Sequence, residues 1–232
     1  MIIQIYAFTD VATAVEAAQL GVDHVGFVAG KYNEVPAELT FEEAREIVTA
    51  LPPQTTAVAL TMATKVDEIL RMVDAVKPDI VHVSSDLDCV GVDTMRELRA
   101  RLDKDIRLMK AIPVENEASV AIAKQYAAVS DLLLLDTKRT GFPGVGATGF
   151  THDWNISRRI VETAGVPVIM AGGLNAQNVK AAIAKTHPWG VDSNTSTNVP
   201  GSNTDKDIRR IAEFVKAIRS AEGSQENDEV QA

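Results

Sequence analysis

Apolar runs of strand length alternate along the chain with segments whose apolar residues recur at helical spacing. The runs are IIQIY, DHVGFVA, TTAVALT, DIVHVS, DIRLMKAI, DLLLLD, VPVIMAG and WGVDSN. Near-continuous apolar runs of this kind belong to parallel strands buried on both faces. Between them, Val66, Ile69, Leu70, Val73 and Val76 form one helical seam, and Ile208, Ile211, Val215 and Ile218 form another. Start and stop signals agree: Asp10, Thr40 and Asn175 stand where helix N-caps are needed, and Gly21 ends the first helix. Asn178 stands where a full capping box would call for Glu or Gln, so the Asn175 cap is read as a single one.

Eight β-then-α units without an intervening linker predict a closed (β/α)8 TIM barrel of the α/β class. An open doubly wound sheet is the alternative. It would usually carry a glycine-rich turn after the first strand, where this chain has Ala7-Phe8-Thr9-Asp10. The predicted organisation is a single barrel domain over residues 1–221. Residues 222–232, EGSQENDEVQA, are polar enough to predict a disordered tail.

A barrel gathers chemistry at the C-terminal ends of its strands. Taking polar residues near those ends with inward parity selects Tyr6, His82, Lys110, Asp136 and Asp192, with Ser84 just beyond His82. Each alone reads equally well as a satisfied packing residue or a structural ion pair; the convergence of five is what points to a site. After the seventh strand, AGGLNAQN offers Gly172 and Gly173, whose backbone N–H groups can approach an anion at a helix start. After the eighth, DSNTSTNVPG supplies Ser196 and Thr197. Together the two loops predict a phosphate cradle. The GVGATG stretch follows the wrong strand for a dinucleotide fingerprint, but the long segment from Thr137 to Trp154 can cover a ligand.

Composition narrows the partners. The formal charge of −9 over 232 residues, with no basic patch, argues against nucleic acid and anionic membrane surfaces. No apolar segment is long enough to span a bilayer, and the single cysteine, Cys89, suits a reducing compartment, so a cytoplasmic protein is expected. The four histidines lack the close pairing of a zinc site, and neither metal nor cofactor is expected. The expected partner is a small phosphorylated molecule, bound by a monomer or homodimer.

The stretches LLLLDT, GATGFTHDW, VIMAGGLNAQNV and GVDSNTSTNVPG, in this order and spacing, resemble the motifs of the phosphoribosylanthranilate isomerase family of tryptophan biosynthesis. The resemblance spans nearly the whole chain. It implies a TIM barrel, an Amadori-type aldose–ketose rearrangement, an aspartate acid at Asp136, and a phosphate site between loops seven and eight. Three departures stand out. QIYAFT puts Tyr6 where the family carries a cysteine base. VPAELTFEEA puts Ala37 where it carries an arginine for the anthranilate carboxylate, leaving Lys31 or Arg139 to substitute. VHVSS brings His82 into the fourth strand. A phenol would need its pKa lowered by about 3 units, roughly 4 kcal/mol, to act as a base at neutral pH.

On this reading Asp136 is the acid, Tyr6 or His82 moves the second proton, and Lys110, Arg139 and Asp192 orient the ligand. Two alternatives stay open: a Schiff-base enzyme acting through Lys110, and a barrel that binds a phosphorylated metabolite without catalysis.

Overall fold

Strands β1 (Ile2–Ile5), β2 (His24–Ala29), β4 (Thr56–Thr61), β5 (Ile80–Val83), β6 (Arg107–Pro113), β7 (Leu132–Asp136), β8 (Val168–Met170) and β9 (Gly190–Ser193) pair in parallel, each with the next. β1 pairs with both β2 and β9, which closes the ring. A two-residue strand, β3 (Glu38–Leu39), adds to the edge of β2. This computed structural model describes residues 1–138, 144–146 and 151–229, with side chains through Ala221. Helices α1 (Val11–Gln19), α2 (Phe41–Ala50), α3 (Val66–Val76), α4 (Val92–Arg101), α5 (Ala118–Ala127), α6 (Trp154–Thr163), α7 (Val179–Thr186) and α8 (Ile208–Glu229) surround the ring. The architecture is the (β/α)8 TIM barrel.

The two-residue period of each strand separates two cores. Ile3 and Ile5 of β1 face outward and pack in one cluster with Ala14 and Ala17 of α1. Tyr6, Val28, Val58, Ile80, Met109, Leu134 and Ile169 form the inner cluster that fills the barrel. Each fully buried aliphatic side chain contributes about 1.5 to 3 kcal/mol relative to exposure. On α3 the seam read from the sequence is the buried face: Val66, Ile69, Val73 and Val76 are all inside.

The caps follow. Asp10 accepts the Thr13 N–H, and Thr40 forms a reciprocal capping box with Glu43. At the seventh helix the sequence reading is corrected. Asn175 Oδ1 accepts the N–H groups of Gln177 and Asn178, but it caps a turn preceding α7, whose N-cap is Asn178. Asn178 Oδ1 accepts the Asn175 N–H at 2.8 Å, so an asparagine supplies the return bond expected of Glu or Gln. The helical backbone of α8 continues to Glu229, into the segment whose composition predicts a tail. The apolar seam of that helix ends at Ile218, which is why composition alone suggested a stop.

Candidate active site

A cavity of about 360 Å³ opens at the C-terminal ends of the strands. One wall carries Tyr6, His82, Asp136 and Asp192; the other is apolar, with Val35, Pro36, Ala37, Leu60 and Met62. Four of the five side chains selected by inward parity therefore meet in one place.

Tyr6 leaves the end of β1 and lays its ring over Gly26 of β2. A Cβ at Gly26 would sit 2.5 Å from the ring carbons, so only glycine leaves room for the phenol. Tyr6 Oη lies 2.8 Å from His82 Nδ1. Burial, assisted by the charge of Asp192, drives the Tyr6 phenol well above its usual 10. Burial and then the ammonium of Lys110 lower the His82 imidazole to about 3. Both groups are thus neutral at physiological pH. His82 Nε2 is buried with no partner among the described residues.

Asp136 ends β7 in phase with the inward-facing Leu132 and Leu134, and its Oδ1 accepts the N–H of Thr137 at 2.7 Å. Burial raises its pKa to about 7, against the opposing pull of that hydrogen bond. Asp192 of β9 is raised to about 8, first by burial and then by the charge of Asp136. Gln4 fixes it: Gln4 Nε2 donates to Asp192 Oδ1 at 3.2 Å while Gln4 Oε1 lies 3.1 Å from His24 Nδ1. The Oδ2 atom of each carboxyl has no hydrogen-bond partner among the described residues. The two titrate as a pair in which ionisation of one opposes ionisation of the other.

Gly146 covers Asp136. A Cβ there would lie 2.4 Å from Asp136 Oδ2, and Gly146 has φ of +106°, a conformation glycine adopts freely. Its N–H donates to Thr137 O at 3.1 Å.

The loops read as a phosphate cradle lie beside this wall. Gly172 and Gly173 both have positive φ, of 82° and 63°, just after β8. Ser193 Oγ donates to Leu174 O, tying the loop after β9 to the loop after β8. Asn194 and Thr195 line the cavity, whereas Ser196 and Thr197, next along a 3-10 turn (Thr195–Thr197), line a separate depression with Arg209 and Arg210. Thr197 Oγ1 donates to Asn194 O. Lys206 holds the same turn from behind, its Nζ donating to Asn194 O and Oδ1 and to Asn198 Oδ1.

Lys110 is a correction. It does not face the lumen: Met109 does, while Leu108 and Ile112, which share the parity of Lys110, pack in the outer cluster. Its Nζ donates to Val83 O at 3.1 Å and Ser85 O at 2.6 Å, 5.9 Å from the Tyr126 ring centroid of α5. A strand buried on both faces offers no polar alternation to fix its phase, and a lone lysine was assigned to the wrong side. Lys110 is therefore out of reach of a cavity ligand, which removes the Schiff-base alternative. Lys31 is also engaged elsewhere, donating to Glu38 O and pairing with Glu43. Ala37 lines the cavity, and Arg139 lies outside the described residues, as does much of the segment from Thr137 to Trp154. The sequence reading missed Gln4 as the anchor of Asp192, and it missed Lys206 and the Val145–Gly146 cover. Gln4 carried a signal, since it shares a face with Tyr6; the others sit in loops where spacing gives none.

The sequence matches the protein family described as N-(5'phosphoribosyl)anthranilate (PRA) isomerase over residues 3–217. The chain belongs to this family. PRA isomerases are aldose–ketose intramolecular isomerases of tryptophan biosynthesis. The N-(5'-phosphoribosyl)anthranilate isomerase of Haloferax volcanii is 34% identical over 95% of this chain and 93% of its own length. Isomerase 2 of Methanosarcina mazei is also 34% identical, over 95% of each chain. Among solved structures, phosphoribosyl anthranilate isomerase from Thermotoga maritima superposes with a TM-score of 0.77 at 26% identity, covering 95% of this chain and all of the other. Among the described residues no helix is long and apolar enough to cross a membrane.

Proposed function

We propose that the chain isomerises the N-glycosidic bond region of a phosphoribosyl amine, N-(5'-phosphoribosyl)anthranilate or a close analogue, from aldose to ketose. The observation that carries this is the pairing of two buried carboxyl groups, Asp136 and Asp192, on one cavity wall, both held near neutral pH. A pair of that kind keeps one proton between its members; Asp192, at about 8, holds it more tightly than Asp136, at about 7, so the reactive arrangement, with the proton on Asp136 and the charge on Asp192, is the less populated one by about tenfold.

Asp136 gives its proton to the ribose ring oxygen as the C1–O bond breaks and the amine lone pair forms an imine. The Asp192 carboxylate then takes the C2 proton, yielding an enaminol. Return of that proton to C1, with the C2 hydroxyl proton passing to Asp136, gives the ketose and restores both groups. Asp192 is preferred to Tyr6 and His82 as the base, because a phenol above 10 is undissociated and an imidazole near 3 attracts protons weakly. Tyr6 and His82 act instead as neutral hydrogen-bonding groups, with His82 Nε2 without a partner among the described residues. Backbone N–H groups at Gly172 and Gly173, with Asn194 and Thr195 at the start of the turn that carries Ser196 and Thr197, hold the phosphate.

The test is steady-state turnover of N-(5'-phosphoribosyl)anthranilate by wild type and by D136N. Wild type turns the conjugate over, and D136N loses about 10²- to 10⁴-fold in kcat. No turnover by folded wild type removes the assignment. The neutral phenol in the family's base position favours one second reading, a barrel that binds a phosphorylated metabolite without reaction. In that case calorimetry shows binding that D136N leaves unchanged, and no ketose forms.

A further inference from the structure

We propose that Lys110, although outside the barrel lumen, is a positioning residue for Asp136: it anchors the segment at Ser84 that holds Val145 and Gly146 over the carboxyl. The inference rests on Asp136 as the acid of the reaction above.

The chain of contacts is continuous. Lys110 Nζ binds the carbonyls of Val83 and Ser85, the two residues flanking Ser84. With those carbonyls held, the Ser84 carbonyl and hydroxyl turn to Val145. Val145 N–H donates to Ser84 O at 3.1 Å, and Ser84 Oγ donates to Val145 O at 2.9 Å. The residue after this double bond is Gly146, which lies against Asp136 Oδ2. Ser85 Oγ adds a bond to Ala63 O at 3.0 Å, fixing the segment on its other side.

A fully buried ammonium is costly unless hydrogen-bonded, and the barrel supplies two carbonyls and an aromatic face for it. The charged or titratable groups that interact with it are Asp86, Cys89, Lys138 and His82, with Tyr126 5.9 Å away, and Lys138 pairs with Asp86 at 2.7 Å. Of these only His82 lines the cavity. Among the described residues, the titratable groups that line the cavity with Asp136 are Asp192, His82 and Tyr6.

Covering the carboxyl keeps water from it, and loss of the cover hydrates the ionised form. That lowers the Asp136 pKa. Removing the Lys110 charge through space acts in the opposite direction, because a cation stabilises a carboxylate. The sign of the shift therefore separates positioning from electrostatics.

The experiment is a ¹³C NMR titration of the Asp136 carboxyl in wild type, K110M, S84A and the double variant. The Asp136 midpoint falls by about one pH unit in K110M and in S84A, and the double variant falls no further, since both act through one contact. In parallel, kcat falls about tenfold while KM changes less than about twofold. A midpoint that stays or rises in K110M overturns the proposal, as does an additive double variant. Should K110M not fold, K110Q, which keeps an amide donor for one carbonyl, shows a smaller fall of the same sign, and a midpoint that stays or rises in it overturns the proposal. If wild type turns nothing over, the isomerase reading fails, while the titration still decides the role of Lys110.

Discussion

Tyr6 Oη and His82 Nδ1 stand 2.8 Å apart across the cavity floor, joining the end of β1 to the end of β5. Burial beside Asp192 keeps the proton of the phenol on. Each of the two rings satisfies the other, and among the described residues His82 Nε2 is left without a partner. The pair is a scaffold of fixed, neutral polarity next to two carboxyl groups that do change charge.

Y6F follows directly. It removes the partner of a buried imidazole nitrogen and destabilises the fold by about 1 to 3 kcal/mol, read from urea midpoints. Because the phenol is a hydrogen-bonding group and not the base, kcat falls by about tenfold or less, and the alkaline limb of the pH–rate profile stays in place. A loss as large as that of D136N, with displacement of that limb, would restore Tyr6 as a base.

The two raised carboxyls also shape stability. In the unfolded chain they titrate near 4; in the folded chain they do so at about 7 and about 8. Between these values the folded state holds protons that the unfolded state has released. Their favourable contribution is thus fully present below about pH 4 and is lost as pH climbs through 7 to 8. D192N abolishes part of this slope. His24, His82 and His152, lowered by burial to about 3, 3 and 4, act in the opposite sense between pH 5 and 6.5, so the reading is the difference between the two proteins: in urea unfolding, D192N gains stability relative to wild type between pH 5 and pH 8, by up to several kcal/mol. A difference that is the same at both values would mean Asp192 is hydrated.

How much of this was legible beforehand follows from what each signal encodes. Eight apolar runs ending on polar residues suffice for the ring, because parallel strands need burial on both faces and nothing else supplies it. Asp136 and Asp192 were legible for a related reason: a carboxyl terminating a buried run has nowhere to point but the open end. Lys110 was not, since RLMKAIP is buried on both sides and contains no alternation to set its phase. Ser196 and Thr197 lie in the loop after β9, but a turn reverses direction between adjacent residues, and it is Asn194 and Thr195 that line the cavity. Gly146 was visible only as one glycine among several, because its role depends on a contact with a carboxyl ten residues earlier.

G146A probes that contact. The added methyl would sit 2.4 Å from Asp136 Oδ2, on a backbone with positive φ. The residue must shift, the cover lifts, and the carboxyl is hydrated. Expected are a loss of about 10- to 100-fold in kcat and about 1 kcal/mol in stability, from kinetics and thermal melts. Unchanged kcat would show that the cover does not matter to the acid.

The apolar wall has its own support in Glu38. Its carboxylate accepts the N–H groups of Asn33, Glu34 and Val35 at 2.8, 2.9 and 3.1 Å, shaping the loop that presents Val35, Pro36 and Ala37 to the cavity. Partial burial raises the Glu38 pKa, but these N–H groups outweigh it and hold the carboxyl below its ordinary value. The sign is the reverse of the aspartate pair: the support is present above the unfolded pKa and is lost as pH falls through the lower folded one. E38A leaves three backbone donors to water and lets the loop wander. The acid and base are untouched, so KM rises several-fold while kcat changes less than about threefold. An equal fall in kcat and kcat/KM would place the loop's contribution in the transition state instead of in binding.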